Sequence, residues 1–268
     1  MNKISILGCG WLGLPLAEAF VKDGFIVKGS STSNSKTDLL SHKKIIPYQI
    51  TLPLQNYESD FFDTDFLVIN IPPQTRSKGP DFHLACIQSI ISFIPENLKI
   101  IYISATSVYP DRDKEITEEE PVDETSDRAK ALWQVENLLR NEFGKRLTII
   151  RMGGLLGYDR VPGKYFSGKK VNNAQQKVNY IHRDDAVGII QQLVHRNIFG
   201  ELFNAVAPLH PSRKEVFLRN AQELGFEPPI FENEPSSLLQ RFINGEKIEH
   251  YLEYSFIYPD PLHFYYTI

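Results

Sequence analysis

The chain has 268 residues, 42% hydrophobic and 23% charged, which is ordinary for a globular protein with a substantial core. The net charge of -4, from 29 basic and 33 acidic residues, argues against a nucleic-acid partner, and no run is apolar enough to predict a membrane span. With only two cysteines, Cys9 and Cys86, a disulfide scaffold is excluded and a reducing, cytoplasmic location is expected.

Strand and helix patterns alternate through the first two thirds of the chain. Short apolar, β-branched runs predict strands at 3–7, 25–29, 45–50, 66–71, 99–104 and 147–151. Helical spacing predicts helices at 11–22, 81–94 and 126–143, and short helices or loops at 33–44 and 53–64. This alternation predicts an α/β fold with a doubly wound parallel sheet of the Rossmann type.

The last third of the chain differs in composition. Residues 155–180 are rich in Gly, Lys and Asn, and residues 208–268 are rich in Pro and aromatic side chains. The first stretch predicts a loop-rich insertion, and the second predicts a small mixed lobe with a closing strand and an ordered tail. The remaining predicted elements are a helix at 184–196, a strand at 201–205, and helices near 212–224 and 235–242.

The N-terminal residues admit two interpretations. Met1–Leu7 has the basic and apolar character of a short secretory leader. The apolar stretch is, however, interrupted by Gly8, Gly10, Pro15 and Glu18. A buried strand followed by a glycine turn and a helix is therefore the preferred interpretation.

The glycine turn carries the clearest chemistry of the sequence. Residues 8–13 have the pattern G-x-G-x-x-G, between a predicted strand and a predicted helix. Gly8 permits the tight turn, Gly10 lets a pyrophosphate approach the backbone, and Gly13 lets the helix pack closely on the strand. Free N–H groups at the helix start then face the phosphates. The alternatives are a glycine turn without a ligand and, for Cys9, a redox thiol rather than a small residue that fits the turn.

The end of the second strand bears on the choice of cofactor. A carboxylate about 20 residues after the glycine turn would bind the adenosine ribose of NAD. The chain instead has Ser30, Ser31, Thr32 and Lys36, with no carboxylate before Asp38. Hydroxyl donors and a lysine suit a 2′-phosphate, so NADP is predicted, with NAD as the alternative. A flexible serine-rich loop without a ligand would have the same composition.

Several segments in order resemble the extended short-chain dehydrogenase/reductases, the superfamily of nucleotide-sugar epimerases and dehydratases. The chain is identified as an atypical member of that family, and the resemblance covers about residues 1–260. The matching segments are the glycine turn, "VINIPP" at 68–73, "YISATSVYP" at 102–110, "RMGGLLGYDR" at 151–160, "VNYIHRDDAV" at 178–187 and "LFNAVAPLHPSR" at 202–213.

The resemblance implies a two-part organisation. A Rossmann domain for NAD(P) would comprise 1–154 plus 181–206, and a small mixed C-terminal substrate lobe would comprise 155–180 plus 207–268. The active site would lie in the cleft between them. The cofactor set expected from the turn, the second strand and the resemblance is Gly8, Gly10, Trp11, Leu12, Gly13, Ser30, Ser31, Thr32, Lys36, Asn70, Ile71, Pro72 and Ser104.

The sequence departs from the family at its catalytic positions. The family uses a Ser or Thr to orient the substrate, a Tyr to transfer the proton and a Lys four residues later. Counting back from the Val-Tyr pair puts Ala105 at the hydroxyl position. Aligning on Glu136 puts Arg128 at the Tyr position and Leu132 at the Lys position, with Lys130 out of register. The usual catalytic set is therefore expected to be missing.

Three side chains are the candidates for replacement chemistry. Ser104 and Thr106 flank the missing hydroxyl, although binding to cofactor or backbone would explain them equally well. His182 is the natural acid–base group near pH 7, and filling the junction with the lobe is its alternative role. Asp184 is expected to cap the helix Ala186–Val194 rather than to react.

Substrate contacts are expected from Tyr109, Tyr158, Arg160 and Arg183, because the two arginines suit an anionic group. An ordinary surface role is the alternative for each arginine. The acidic segment 111–127 is interpreted as a solvated loop, and no spacing predicts a metal site.

Two hypotheses of different class follow. The first is an NADP-dependent oxidoreductase or epimerase acting on a small polar substrate, for instance a nucleotide sugar, with neither nucleic acid nor membrane as a partner. The second is a non-catalytic NAD(P)-binding sensor or scaffold, which the missing catalytic set favours. A weaker third is a β-hydroxyacid dehydrogenase, suggested by "GCGWLGLPLAEAF"; the Pro-rich C-terminal third argues against its all-helical second domain. The oligomeric state stays open.

Overall fold

The computed structural model describes residues 2–55, 59–232 and 241–267. The chain forms two compact units: the first comprises Met1–Val108, Val122–Arg151 and Val187–Leu202, and the second comprises Tyr109–Pro121, Met152–Ala186 and Phe203–Ile268. Compared with the predicted boundaries, residues 109–121, 152–154, 181–186 and 203–206 belong to the second unit rather than to the first.

The strands and helices follow one another as the sequence patterns predicted for most of the first unit. The strands are β1 Lys3–Leu7, β2 Ile26–Ser31, β3 Ile46–Gln49, β4 Phe66–Ile69, β5 Lys99–Ala105, β6 Glu115–Ile116, β7 Leu147–Met152, β8 Gly154–Leu156, β9 Lys170–Val171, β10 Tyr180–His182, β11 Leu202–Ala205, β12 Ile230–Phe231 and β13 Phe242–Ile243. The helices are α1 Gly13–Lys22, α2 Asn34–His42, α3 Thr75–Lys78, α4 Phe82–Ile91, α5 Asp127–Phe143, α6 Arg183–His195, α7 Arg213–Leu224 and α8 Glu246–Leu252. Over these described parts of the chain, no helix is both long enough and apolar enough to span a bilayer.

The central sheet has seven parallel strands in the order β11-β7-β5-β4-β1-β2-β3. Strand β1 pairs with β2 on one side and with β4 on the other, so the order in which successive strands are added to the sheet reverses at β1. In an open parallel sheet, ligands bind beyond the carboxyl ends of the strands at such a reversal. The predicted Rossmann class is confirmed, and the reversal marks the edge that follows Leu7 and Ile69.

The core of the first unit lies between this sheet and its helices. Helix α5 begins after Ser126, whose hydroxyl accepts from the N–H of Ala129 at 3.1 Å, and it ends at Gly144. Its apolar face packs Val135 and Leu139 against buried side chains of the sheet. Burial of this kind is the main stabilising term in an amphipathic helix of ordinary propensity.

The second unit has little regular sheet. Its strands form the two-stranded parallel pairs β8–β10, β9–β12 and β6–β13. Helix α7 begins with a reciprocal capping box between Ser212 and Glu215. Two small apolar clusters, one around Phe264 and Leu156 and one around Phe217, form its core.

Some predicted elements of the second unit need correction. The predicted helix at 235–242 lies outside the described residues except for its last two, and Phe242 begins strand β13. The predicted closing strand is reduced to a single bridge between Tyr158 and Tyr266. Asp184 is not the cap of its helix, because α6 begins one residue earlier, at Arg183.

Candidate functional site

The glycine turn follows β1 and is held from both neighbouring strands. The N–H of Gly8 donates to Ser30 Oγ at 2.9 Å, and the N–H of Cys9 donates to the Ser30 carbonyl at 2.8 Å. On the other side, Asn70 Nδ2 donates to the carbonyl oxygen of Gly8 at 3.0 Å. Ser30 is 3% exposed, so its hydroxyl organises the turn.

The three glycines of the motif meet different surroundings. A Cβ on Gly13 would lie 2.2 Å from the carbonyl oxygen of Gly8, and one on Gly8, whose φ is +106°, would lie 2.5 Å from the carbonyl oxygen of Asn70. A Cβ on Gly10 would meet nothing within 4 Å. Gly8 and Gly13 are thus required by the protein's own packing, whereas Gly10 borders open space.

That open space is a cavity of about 450 Å³ at the carboxyl ends of β1, β2 and β4. Its walls include most of the predicted cofactor residues, namely Gly8, Gly10, Ser30, Ser31, Thr32, Lys36, Asn70, Ile71 and Pro72. Trp11, Leu12 and Gly13 do not line it; Gly13 instead packs against Gly8, as described above. A cavity of this size is within the range of small-molecule sites.

Among the described residues that line the cavity, the charged side chains are Lys36 and Lys78, and none is an aspartate or a glutamate. Lys78, Gln74 and Phe82 belong to the segment from β4 to α4, and the sequence analysis did not single them out. The only available signal was their position just after "VINIPP", at the carboxyl end of a buried strand.

Both cysteines border the same cavity. Burial raises the pKa of Cys9 to about 12 and that of Cys86 to about 11. Each thiol is therefore protonated near neutral pH and is a poor nucleophile. This agrees with the interpretation of Cys9 as a small residue that fits the turn.

Ser104 belongs to a buried ion-pair network in the first unit. Its hydroxyl donates to Glu136 Oε1 at 2.6 Å, and Arg151 binds the same carboxylate through Nε at 3.0 Å and Nη2 at 2.6 Å. Glu136 and Ser104 are 0% and 3% exposed. Ser104 was predicted both as catalytic and as a cofactor contact, but it does not line the cavity.

The segment after β5 places a different hydroxyl beside Arg128. Thr106 is buried in the short 3₁₀ turn Thr106–Val108. Ser107, in the same turn, accepts a hydrogen bond from Arg128 Nε at 2.9 Å. Arg128 stands at the family's Tyr position in the sequence, whereas Ser107 was not among the predicted site residues. A guanidinium stays protonated, so this pair supplies charge rather than a proton relay.

His182, in the second unit, caps helix α6. The N–H of Asp184 donates to His182 Nδ1 at 3.2 Å, and Nε2 lies 3.2 Å from the carbonyl oxygen of Tyr265. Because Nδ1 accepts, the proton is assigned to Nε2, which donates to that carbonyl. Burial lowers the pKa of His182, and its ring lies 3.9 Å from the ring of Tyr258. Both ring nitrogens are thus bonded to backbone.

Next to this cap, Tyr158 joins two charged residues. Its hydroxyl donates to the carboxylate of Asp184 at 2.9 Å, and the Arg183 guanidinium lies 3.8 Å from the centre of its ring. Arg160, two residues further along, is half-buried; burial chiefly, and the positive charge of Arg183 in addition, lower its pKa. The predicted substrate residues Tyr158, Arg160 and Arg183 therefore lie together in this unit.

Tyr109 lies apart from that cluster. It is 2% exposed, and its hydroxyl donates to Asn204 Oδ1 at 2.7 Å. A substrate contact would require this packing to open.

In the acidic segment, Glu120 pairs with Arg112 at 3.0 Å and with Lys114 at 2.5 Å. Over the described ranges, no three His, Cys, Asp or Glu side chains converge as a metal would require.

One relative is similar over nearly the full length of the chain. Protein YeeZ of Escherichia coli (strain K12) is 34% identical over an alignment of 269 positions that covers 98% of each chain, and the same figures hold for Protein YeeZ of strain O157:H7. The chain belongs to the YeeZ family. No protein-family model matches the sequence.

Solved structures relate the YeeZ fold to a larger group. A UDP-glucuronic acid 4-epimerase from Bacillus cereus, in complex with UDP-glucuronic acid and NAD, has a TM-score of 0.78 at 16% identity and covers 97% of this chain and 95% of its own. A dTDP-glucose 4,6-dehydratase from Bacillus anthracis in complex with NAD has a TM-score of 0.77 at 13% identity, covering 98% and 94%. A short-chain dehydrogenase/reductase superfamily protein from Agrobacterium tumefaciens with bound NAD has a TM-score of 0.77 at 13% identity, covering 97% and 94%. This YeeZ-family chain thus has the fold of the extended short-chain dehydrogenase/reductases.

Proposed function

We propose that the cavity binds a nicotinamide dinucleotide, with NADP favoured and NAD as the alternative. The observation that carries this proposal is the open side of Gly10, which borders a cavity at the point where the sheet order reverses. A backbone without a side chain there lets a diphosphate approach closely. The structural neighbours that contain NAD support the same class of ligand.

The residues at the turn fit such a group. Helix α1 begins directly after the glycine turn with no acidic residue in its first turn and no side-chain cap at Leu12. The partial positive charge of a helix N-terminus favours an anion at that point. The turn is also fixed by Ser30 and Asn70, so it is organised before a ligand arrives.

The preference for NADP rests on charge. Ser31, Thr32 and Lys36 border the cavity after β2, and the part of its lining that the structure describes includes no carboxylate that would repel a 2′-phosphate. A lysine attracts phosphate as a compact positive charge, without the two directed hydrogen bonds that an arginine can donate to it. We therefore expect a preference for NADPH over NADH of tenfold or more, on the order of one charge-assisted contact.

We further propose an oxidoreductase or epimerase acting on a small polar substrate of the nucleotide-sugar type. A bound nicotinamide supplies or accepts hydride. Of the chain's own residues, Arg160 and Arg183 beside Tyr158 suit the anionic part of the substrate. Of the three predicted catalytic side chains, we keep Thr106 as the candidate, since Ser104 and His182 are each bonded to internal partners.

A non-catalytic NAD(P)-binding sensor or scaffold is the second candidate. The residues that favour it are Ala105, Arg128 and Leu132, which stand at the family's hydroxyl, Tyr and Lys positions. None of the three can relay a proton at neutral pH. Turnover distinguishes the two candidates, since both require the cofactor to bind.

The first experiment is a titration of the purified protein with NADPH and NADH. Nicotinamide emission would be followed with excitation of tryptophan, because Trp11 directly follows Gly10. Gly10→Ala and Gly10→Val should fold normally and weaken both cofactors increasingly, since the added methyl groups enter the space a ligand would use. Unchanged affinity in Gly10→Val would contradict the proposed site.

Gly13→Ala is the matched control at the same motif. Its Cβ would lie 2.2 Å from a backbone oxygen, so we expect a loss of the native fold, seen by circular dichroism, rather than a selective loss of cofactor. If a cofactor binds, the protein is then incubated with NADP⁺ and a panel of UDP- and dTDP-hexoses, and both NADPH formation and conversion of the sugar to an epimer are followed. Turnover reduced in Thr106→Val would support the oxidoreductase, and tight binding with no turnover across the panel would support the sensor.

A further inference from the structure

The cavity is lined by a second cation besides Lys36, namely Lys78. Lys36 follows β2 in helix α2, whereas Lys78 follows β4 in helix α3. Because β1 lies between β2 and β4 in the sheet, the two lysines reach the cavity from the two sides of the glycine turn. A ligand seated at the turn would therefore lie between them.

The backbone holds Lys78 at the cavity wall. Helix α3 is a single turn, Thr75–Lys78, that begins after Gln74 with a φ of +53° and ends before Gly79 with a φ of +87°. The N–H of Lys78 donates to the carbonyl oxygen of Gln74 at 2.9 Å. Its ammonium lies 5.8 Å from the centre of the Phe82 ring, which also lines the cavity. The cation is thus anchored at both backbone and side chain.

Within ranges 2–55, 59–232 and 241–267, no carboxylate on the cavity wall neutralises the two ammonium groups. The nearest carboxylates along the chain, Asp38 and Asp81, are exposed and do not line the cavity. The diphosphate of a dinucleotide is already served by the glycine turn and the start of α1. A phosphate on the adenosine ribose adds a further charge of about -1.5 to -2 near pH 7, by analogy with other phosphate monoesters. Two lysines match that charge.

We propose that Lys78 is a second specificity-determining residue, which with Lys36 holds the ribose phosphate that distinguishes NADPH from NADH. The inference rests on the proposed cofactor site and adds a residue from the β4 side to it. A phosphate held between two walls also orders α3 around the adenosine end. Loss of either lysine should then weaken NADPH while sparing NADH.

The test measures the Kd of NADPH and NADH for the wild type, Lys36→Met, Lys78→Met and the double variant. Methionine keeps the apolar stem and removes the charge. Each single variant should weaken NADPH about tenfold and leave NADH within about twofold, as expected for loss of one charge-assisted contact. Lys78→Arg should restore most of the preference. Lys22→Met, an exposed lysine of α1 outside the cavity, is the charge-matched control.

The outcomes separate this inference from the cofactor site itself. If Lys78→Met weakens NADPH and NADH equally, Lys78 contacts a group common to both and the inference is wrong while the site stands. If neither ligand responds to Lys78→Met, the inference also fails. If the wild type binds neither cofactor, the proposed function fails first. A preference for NADPH that falls between 50 and 500 mM NaCl in the wild type, and stays flat in the double variant, would add support.

Discussion

The cavity edge of the first unit and the His182 cluster of the second, which consists of Tyr158, His182, Arg183 and Asp184, were both predicted as parts of a site, but their polar groups are organised differently. At the cavity edge, Gly10 borders open space, and the described lining residues place no carboxylate beside the lysines. In the cluster, His182, Asp184 and Tyr158 satisfy one another or the backbone. The composition of a motif therefore does not separate a binding site from a structural one; the source of its partners does.

This comparison makes a general expectation testable. Substitutions within internally satisfied clusters should lower the free energy of unfolding and leave cofactor affinity unchanged. Substitutions at the cavity edge should lower cofactor affinity and leave the free energy of unfolding unchanged. The largest effect is expected inside the first unit, where Ser104, Glu136 and Arg151 form a buried cluster of their own.

Arg151→Met should cost about 3–5 kcal/mol of the free energy of unfolding, because it leaves the buried Glu136 carboxylate without its main partner. Urea denaturation measures the loss. Arg140→Met removes the exposed partner of the same carboxylate, at 3.3 Å, and should cost less than about 1 kcal/mol. NADPH affinity should stay within about twofold in both. A large loss of NADPH affinity in folded Arg151→Met protein would contradict the expectation that this buried cluster affects stability and not cofactor binding.

His182→Ala should cost about 2–3 kcal/mol, from a lost helix cap and a cavity left beside the Tyr258 ring. His182→Asn keeps a short acceptor for the N–H of Asp184 and should recover part of the loss. Thermal unfolding and NADPH titration, run side by side, measure both effects. If turnover vanished in His182→Asn while stability was unchanged, His182 would be catalytic and the contrast between the two regions would be lost.

The fold of the first unit was predictable because its strands are buried apolar runs. Predicted and observed bounds of β1, β5 and β7 differ by at most one residue. The short strand pairs of the second unit were not predictable, since two or three residues have no periodicity and pair with distant segments. The glycine turn was predictable from its motif.

The site itself was predictable only where local sequence determines it. Lys36 follows from its place after β2, but Lys78 reaches the cavity because β4 neighbours β1, which is a property of the sheet order. Ser104 was predicted as a catalytic hydroxyl because the sequence around it does not reveal its structural partner, Glu136, which is 32 residues away. Long-range partners of this kind cannot be inferred from spacing alone.

A third buried cluster, formed by His83 and Tyr102, should make the free energy of unfolding depend on pH. His83 Nε2 lies 2.8 Å from the Tyr102 hydroxyl, and Nδ1 has no hydrogen-bond partner within the described part of the chain. Burial lowers the pKa of His83 from 6.5 to about 4. Between these values the unfolded chain binds the proton and the folded chain does not, so stability should fall as the pH drops from about 6.5 towards 4.

His83→Gln removes this titration. Relative to the variant, the wild type should lose about 2 kcal/mol between pH 7 and pH 4, a conservative figure for a shift of that size. Urea denaturation of both proteins at each pH, with the difference taken, isolates the histidine from the acidic groups that titrate in the same range. If the free energies of unfolding of the two proteins changed with pH in parallel, protonated His83 would have to gain a contact in the folded protein that offsets the cost of its buried charge.

The smallest effect belongs to the cavity edge. Thr32 is exposed and borders the cavity after β2, so Thr32→Val should change the free energy of unfolding by less than about 0.5 kcal/mol. Loss of one hydroxyl contact to a ribose phosphate should weaken NADPH about threefold to tenfold and leave NADH unchanged. Thr37→Val, on α2 outside the cavity, is the matched control; its hydroxyl donates to the carbonyl oxygen of Asn34 at 2.6 Å. If Thr32→Val lowers NADPH affinity but not the free energy of unfolding, and Thr37→Val lowers the free energy of unfolding but not NADPH affinity, the distinction between open and internally bonded polar groups holds for single hydroxyls.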